Sequence, residues 1–164
     1  MSKSVQDLKE AFAGESQANR KYLAFASQAD KEGYPQVARL FRAAAEAETI
    51  HAHNHLKVLN AVKTTAENLK EAISGETEEF KEMYPRMIAD AQAEGNKDAE
   101  RTFNYANEVE KIHAQLFKKA LDTLGEKKVE DIYVCPTCGY TVEAEPPDNC
   151  PVCKTQKKHF RRID

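Results

Sequence analysis

The apolar positions of this chain fall into four stretches of helical period. Over Val5 to about Asp30, Leu8, Phe12, Glu15, Asn19, Tyr22, Ala26 and Ala29 recur at steps of three and four, which predicts a first helix. Its stripe is apolar at both ends and interrupted in the middle by Glu15 and Asn19. A glutamate on a core face is costly unless it is paired or holds a metal; otherwise it belongs to the rim. Gly33 ends this helix, and Pro35 suits the first turn of the next. The second helix, Pro35 to about Val62, has the line Val37, Phe41, Ala44, Glu48, His51, His55, Val58, Val62. The fourth, Lys97 to about Leu124, repeats it as Ala99, Phe103, Ala106, Glu110, His113, Phe117, Ala120, Leu124. Between them, Thr64 and Glu67 form a capping box that opens a third helix running to about Glu94, with Pro85 expected to kink it.

The second and fourth lines are apolar at their ends and ionisable at their centres. They belong to an internal repeat: an offset of sixty-two positions carries Glu48, Ile50 and His51 onto Glu110, Ile112 and His113, and Arg39 and Phe41 onto Arg101 and Phe103. Each Glu-x-x-His pair puts a carboxylate and an imidazole on one helix face. Two such rows without a cation would bury charge to no gain. Two metal ions in a helical bundle, with one further glutamate from each of the other two helices, are the simpler account. Gly14-Glu15-Ser16 resembles Gly75-Glu76-Thr77, which makes Glu76 the mate of Glu15, and Glu79 lies one turn further on the same face. Five carboxylates and two imidazoles then meet at similar height along the helices. His53 is expected on the solvent side, and His55 is read as packing.

After a short charged linker, 127–132, the pattern changes. Cys135-Pro136-Thr137-Cys138 and Cys150-Pro151-Val152-Cys153 are two C-x-x-C knuckles, and they contain all four cysteines of the chain. The spacing is that of a tetrahedral four-thiolate site for zinc or a single iron. So short a segment lacks an apolar core, so the metal is expected to hold it folded.

Composition narrows the function. The 164 residues carry 24 basic and 27 acidic side chains, a formal net charge of −3, which gives no electrostatic case for nucleic acid or an anionic membrane. No apolar run reaches membrane-helix length. Met1 to Glu10 is polar and lacks a signal-peptide core, so cysteines used for metal and a cytoplasmic location are expected.

Taken together, Gly14-Glu15-Ser16-Gln17-Ala18, the two Glu-x-x-His helices, Gly75-Glu76 with Glu79 and Met83-Tyr84-Pro85, and the Cys-Pro-Thr-Cys-Gly-Tyr and Cys-Pro-Val-Cys knuckles resemble the rubrerythrin family. The resemblance covers almost the whole chain. It implies an all-α, ferritin-like four-helix bundle over 1–126, followed by a small rubredoxin-like metal-bound β/loop domain over 133–164. It implies a di-iron centre in the bundle and one iron at Cys135, Cys138, Cys150 and Cys153, with zinc as a substitute. The implied activity is an oxidoreductase, a non-haem peroxidase that reduces hydrogen peroxide to water in oxidative-stress defence. Electrons come from NAD(P)H through a redox protein, rubredoxin or its reductase, and pass through the four-cysteine iron.

Position by position, Glu48 and Glu110 resemble bridging carboxylates. Glu15 resembles a terminal ligand of the first iron, and Glu76 and His113 terminal ligands of the second. Glu79 and His51 resemble an exchanging pair, with Glu79 on the first iron when oxidised and His51 when reduced. Tyr22 and Tyr84 resemble phenols that hydrogen-bond the ligating glutamates. One departure stands out: Lys154 follows Cys153 where such knuckles often have glycine.

The linker between the second and third helices raises a question of assembly. Ferritin-like topology requires a return of about 40 Å, or about 12 extended residues, and the Val62-to-Thr64 connection is far shorter. Either the bundle is a plain up-down-up-down one or two chains exchange halves; a half-swapped homodimer is expected, with Glu15, Glu48 and His51 from one chain meeting Glu76, Glu79, Glu110 and His113 of the other. Electrons are expected to cross a subunit boundary. Two rivals remain: a ferroxidase or iron-handling protein of the ferritin kind, and a non-enzymatic zinc-ribbon interaction protein.

Overall fold

The computed structural model describes residues 2–126 and 128–164. Met1, and Lys127 at the start of the expected linker, lie outside the described residues. The chain packs into two units, Met1–Lys63 and Thr64–Asp164.

The first unit is a helical hairpin of α1 (Lys3–Lys31) and α2 (Pro35–Val58). Its turn is a Schellman motif: Tyr34 N–H donates to Ala29 O and Gly33 N–H to Asp30 O, with Gly33 at φ +81°. Ala26, Ala29, Ala38, Ala45 and Ala52 are buried, and these small side chains let the two helices pack closely along a seam. Helix α2 stops at Val58, short of the expected Val62. Asn60 adopts φ +49°, and Ala61 N–H and Asn60 N–H donate to Leu56 O and Lys57 O. Asparagine tolerates this left-handed terminator, which the apolar line through Val62 does not reveal.

The second unit begins with the capping box. Glu67 N–H donates to Thr64 Oγ1 (3.3 Å) and Thr64 N–H to Glu67 Oε2 (3.2 Å). The expected third helix divides into α3 (Thr65–Glu78), a π-helical turn over Glu79–Met83, and α4 (Tyr84–Ala93). Tyr84 N–H reaches back to Glu79 O, and Pro85, with no N–H, opens the α-helix that follows. The repeat explains the π turn. Gly14 and Ser16 map onto Gly75 and Thr77 with an offset of sixty-one, but Tyr22 maps onto Tyr84 with sixty-two. One residue has been inserted between them, and a π turn is how a continuous helix absorbs one extra residue. On either side of the turn the halves agree. Ser16 Oγ donates to Phe12 O and Thr77 Oγ1 to Ile73 O, while Tyr22 packs on Phe41 and Tyr84 on Phe103.

Helix α5 (Lys97–Asp122) follows a second Schellman turn, with Asn96 N–H on Ala91 O and Gly95 at φ +68°. Helices α3 and α4 pack on α5, with Ala91, Val109 and Ala114 buried. The cysteine segment belongs to this same unit. Strands β1 (Ile132–Val134), β2 (Thr141–Glu143) and β3 (Arg161–Ile163) form an antiparallel sheet in the order β2-β1-β3, and β2 packs against α5. Strand β1 thus takes in the last residue of the expected linker.

Candidate metal centres

Each unit gathers one carboxylate–imidazole cluster. In the first, ligand atoms of Glu15, Glu48 and His51 all lie within 4.8 Å of one another. Helix spacing sets this up: His51 Nδ1 lies 2.8 Å from Glu48 Oε2 at i and i+3, and α1 brings Glu15 alongside. Asn19, the other polar residue on the α1 stripe, donates from Nδ2 to Ala45 O (2.7 Å) and Thr49 Oγ1 (2.9 Å). It therefore bolts α1 to α2 one turn from Glu15. The His51 side chain is 53 % exposed.

In the second unit, Glu76, Glu110 and His113 converge in the same way. His113 Nδ1 lies 2.7 Å from Glu110 Oε2 and 3.8 Å from Glu76 Oε1, and its side chain is only 26 % exposed. Burial, the Glu110 charge and a hydrogen bond with Glu110 raise the Glu76 carboxyl above its ordinary range, against a smaller opposing effect of His113. Glu79, on the π turn, stands outside the three-residue cluster. Burial raises its carboxyl too, followed by the charges of Glu76 and Glu78. Burial and then Glu79, Glu110 and Glu76 raise the Tyr84 phenol, which stays protonated beside them. Carboxylates that converge and push one another's proton affinity upward form a site that a cation would relieve, so this donor set fits a metal. Tyr22 sits in an aromatic group with Phe25 and Phe41. His53 is exposed, as expected.

The four cysteines are unbridged, and their sulfurs cluster within 4.8 Å. Sγ of Cys135 lies 3.5 Å from that of Cys153, and Sγ of Cys138 lies 3.6 Å from that of Cys150. A tetrahedron with metal–sulfur bonds of about 2.3 Å has edges of about 3.8 Å, so the cage has the size of a single tetrathiolate metal. The knuckles are built alike. Gly139 N–H donates to Cys135 O and Lys154 N–H to Cys150 O, and the residue after each knuckle is left-handed, Gly139 at φ +85° and Lys154 at φ +66°. Lys154 thus takes up a conformation that glycine adopts without penalty. Burial pushes the Cys138 and Cys150 thiols up; it raises the Cys153 thiol too, but there hydrogen bonds with the Thr155 side chain and backbone and with Cys138 and Cys135 bring it down to about 6. A thiol so placed is a ready thiolate ligand.

The residues alone did not point to Thr141. Its Oγ1 lies 3.0 Å from His113 Nε2, so the sheet of the cysteine segment touches the Glu-x-x-His motif of its own unit. The expected crossing of a subunit boundary is therefore not needed to bring the cysteine segment to that histidine. The available signal was position, since Thr141 lies just beyond the Cys-Gly-Tyr that closes the first knuckle.

A two-hairpin carboxylate–histidine protein with an attached tetrathiolate module is a particular class of iron protein. The Rubrerythrin family profile matches residues 7–121, and that of the rubrerythrin rubredoxin-like domain matches residues 133–161. The chain is 41% identical to rubrerythrin-2 of Clostridium acetobutylicum, over 94% of this chain and 93% of that protein. It is 34% identical to nigerythrin of Nitratidesulfovibrio vulgaris, over 96% of this chain and 85% of the other. A solved structure of nigerythrin in a mixed-valent state superposes with a TM-score of 0.61 at 34% identity, covering 99% of this chain and 88% of that one. This chain belongs to the rubrerythrin family. Its cofactors are accordingly iron, a di-iron carboxylate–histidine centre in the helical region and a rubredoxin-like iron at the four cysteines. The family is one of oxidoreductases, for which a peroxidase role is typical. Among the described residues, no helix is long and apolar enough to cross a membrane.

Proposed function

We propose that the protein is a peroxidase that reduces hydrogen peroxide to water in the cytoplasm, fed from NAD(P)H through a rubredoxin-type donor. The observation that carries this reading is the pairing, in one chain, of carboxylate–histidine clusters with a tetrathiolate module that touches one of them through Thr141 and His113. An iron-storage protein has no use for such an attached electron carrier, and a structural zinc ribbon has no use for the carboxylate clusters. Hydrogen peroxide takes up two electrons and two protons to give two waters. Bound iron would supply those two electrons and polarise the O–O bond.

The chain's own residues then have distinct tasks. Glu15, Glu48, Glu76, Glu110 and His113 would hold the irons throughout, Glu48 and Glu110 as the carboxylates common to both. His51 and Glu79 are the exchangeable pair. The exposure of His51 and the position of Glu79 on a π turn, outside the three-residue cluster, support this assignment. A fifth carboxylate, Glu79, would help to balance the higher charge of oxidised iron. The Tyr84 phenol stays protonated beside the carboxylates and is the group that would hydrogen-bond the ligating glutamates, with Tyr22 in the matching place. Cys135, Cys138, Cys150 and Cys153 hold the relay iron.

The complete centre is proposed to form in a half-swapped homodimer, the first unit of one chain with the second unit of its neighbour. Two observations support this. The segment 59–64 joining α2 to α3 is shorter than the roughly 12 extended residues a return along the bundle needs. Val37, His51 and Val58, all on the ligand-bearing line of α2, are exposed in the single chain. The test is anaerobic. Reduced, iron-loaded protein is mixed with limiting peroxide, and the oxidised product and sedimentation are measured together. Consumption of one peroxide per di-iron centre by a dimer supports the reading. Oxygen-driven iron mineral formation would favour the ferroxidase, and a fully active monomer would contradict the swapped assembly.

A further inference from the structure

We propose that Thr141 is a positioning residue that makes metal loading of the four-cysteine module strengthen metal binding at Glu76, Glu110 and His113. The inference rests on the ligand assignment above and goes beyond it. A hydroxyl carries one proton. Thr141 Oγ1 donates that proton to Gly139 O at 3.0 Å, so toward His113 Nε2, also at 3.0 Å, it can only accept. His113 is thereby held with its proton on Nε2. That leaves the Nδ1 lone pair on the side of the ring where Glu110 Oε2 stands at 2.7 Å and Glu76 Oε1 at 3.8 Å. Fixing the tautomer and the ring plane in this way is what outer hydrogen-bond partners do for metal-binding histidines.

The other end of the bridge is tied to the cysteine cage. Gly139 directly follows Cys138, and its N–H closes the first knuckle on Cys135 O. Thr141 is the first residue of β2, paired with Val134, one residue before Cys135. The module sits on α5 through an ion pair of Lys119 with Glu143 and through Gly139, where an added Cβ would meet Val109 Cγ1 at 3.7 Å. A module this small depends on its metal for order. Without metal the Thr141 hydroxyl is not held in place and the His113 ring is free to turn. With metal the ring is set before the second ion arrives. The histidine of the first unit has no such brace, since among the described residues His51 pairs with Glu48 alone. Coupling of this kind is reciprocal, so filling the helical site also slows metal loss from the cysteines.

Full-length protein tests this with zinc as the probe at every site. Zinc affinity at the helical sites is measured by chelator competition, and exchange of the His113 Nε2 proton is followed by nitrogen-15 NMR. Thr141→Val keeps the shape and strand preference but removes the hydroxyl. It is expected to weaken zinc binding at Glu76, Glu110 and His113 by about tenfold and to expose the Nε2 proton to exchange, while Thr141→Ser stays close to wild type. Cys138→Ser, which opens the cage, is expected to weaken the same site to a similar degree, with Thr141→Val adding little on top of it. Unchanged affinity and a protected proton in Thr141→Val would overturn the inference, as would fully independent effects of the two substitutions. If wild-type protein holds no zinc at the helical sites, the ligand assignment falls and the inference with it.

Discussion

The two hairpins carry the same motif in different surroundings. In α2, His51 leans on Glu48 and is half open to solvent. In α5, His113 has Glu110 and Glu76 on one ring nitrogen and Thr141 on the other. Helix α1 runs unbroken past Glu15, while the chain past Glu76 makes a π turn that begins at Glu79. A duplicated ligand set therefore need not yield two equal half-sites. One extra residue in a helix and one hydroxyl on an adjacent strand distinguish the second unit from the first.

Single substitutions can break this contrast. The largest effect is expected at the braced histidine, where His113→Ala should lower metal affinity by roughly 10- to 100-fold, and His51→Ala by clearly less, measured as metal retained against a chelator. Equal losses would mean that Thr141 contributes nothing to the difference. Next is Glu79→Ala, expected to slow oxidation of the reduced protein by peroxide several-fold while leaving the tetrathiolate spectrum unchanged. Stopped-flow traces that overlay wild type would remove Glu79 from the reaction. The smallest effects concern turns, where the halves should behave alike. Gly33→Ala and Gly95→Ala should each cost about 1 kcal/mol in thermal unfolding, because both glycines are left-handed. Lys154→Gly should do the reverse and stabilise the cysteine module by about 1 kcal/mol, seen as slower metal loss.

Much of this was legible in the sequence, and for physical reasons. Period-3.6 stripes, the Thr64–Glu67 box and the Gly33 turn are local signals, and the structure follows them. Glu48 with His51 and Glu110 with His113 are fixed by helix spacing alone, and Glu15 and Glu76 join them through the repeat. The end of α2 at Val58 was less visible, because the left-handed asparagine at position 60 competes with an apolar line that continues to Val62. The π turn was encoded as a one-residue slip in the repeat, from sixty-one to sixty-two, and Pro85 alone suggested only a kink. Thr141 was hidden for a different reason. Its role depends on how the sheet docks on α5, and no periodicity within either element records that contact.

The most direct test of the account follows one colour. Protein is reduced under anaerobic conditions, one equivalent of hydrogen peroxide is added, and the visible ferric-thiolate absorption of the four-cysteine iron is recorded with time. The absorption, bleached by reduction, is expected to return rapidly with peroxide and more slowly with air, as electrons leave the thiolate-bound iron for the carboxylate–histidine centre. A protein whose helical iron is oxidised by peroxide while the thiolate-bound iron stays reduced, or one that never shows the colour, would contradict it.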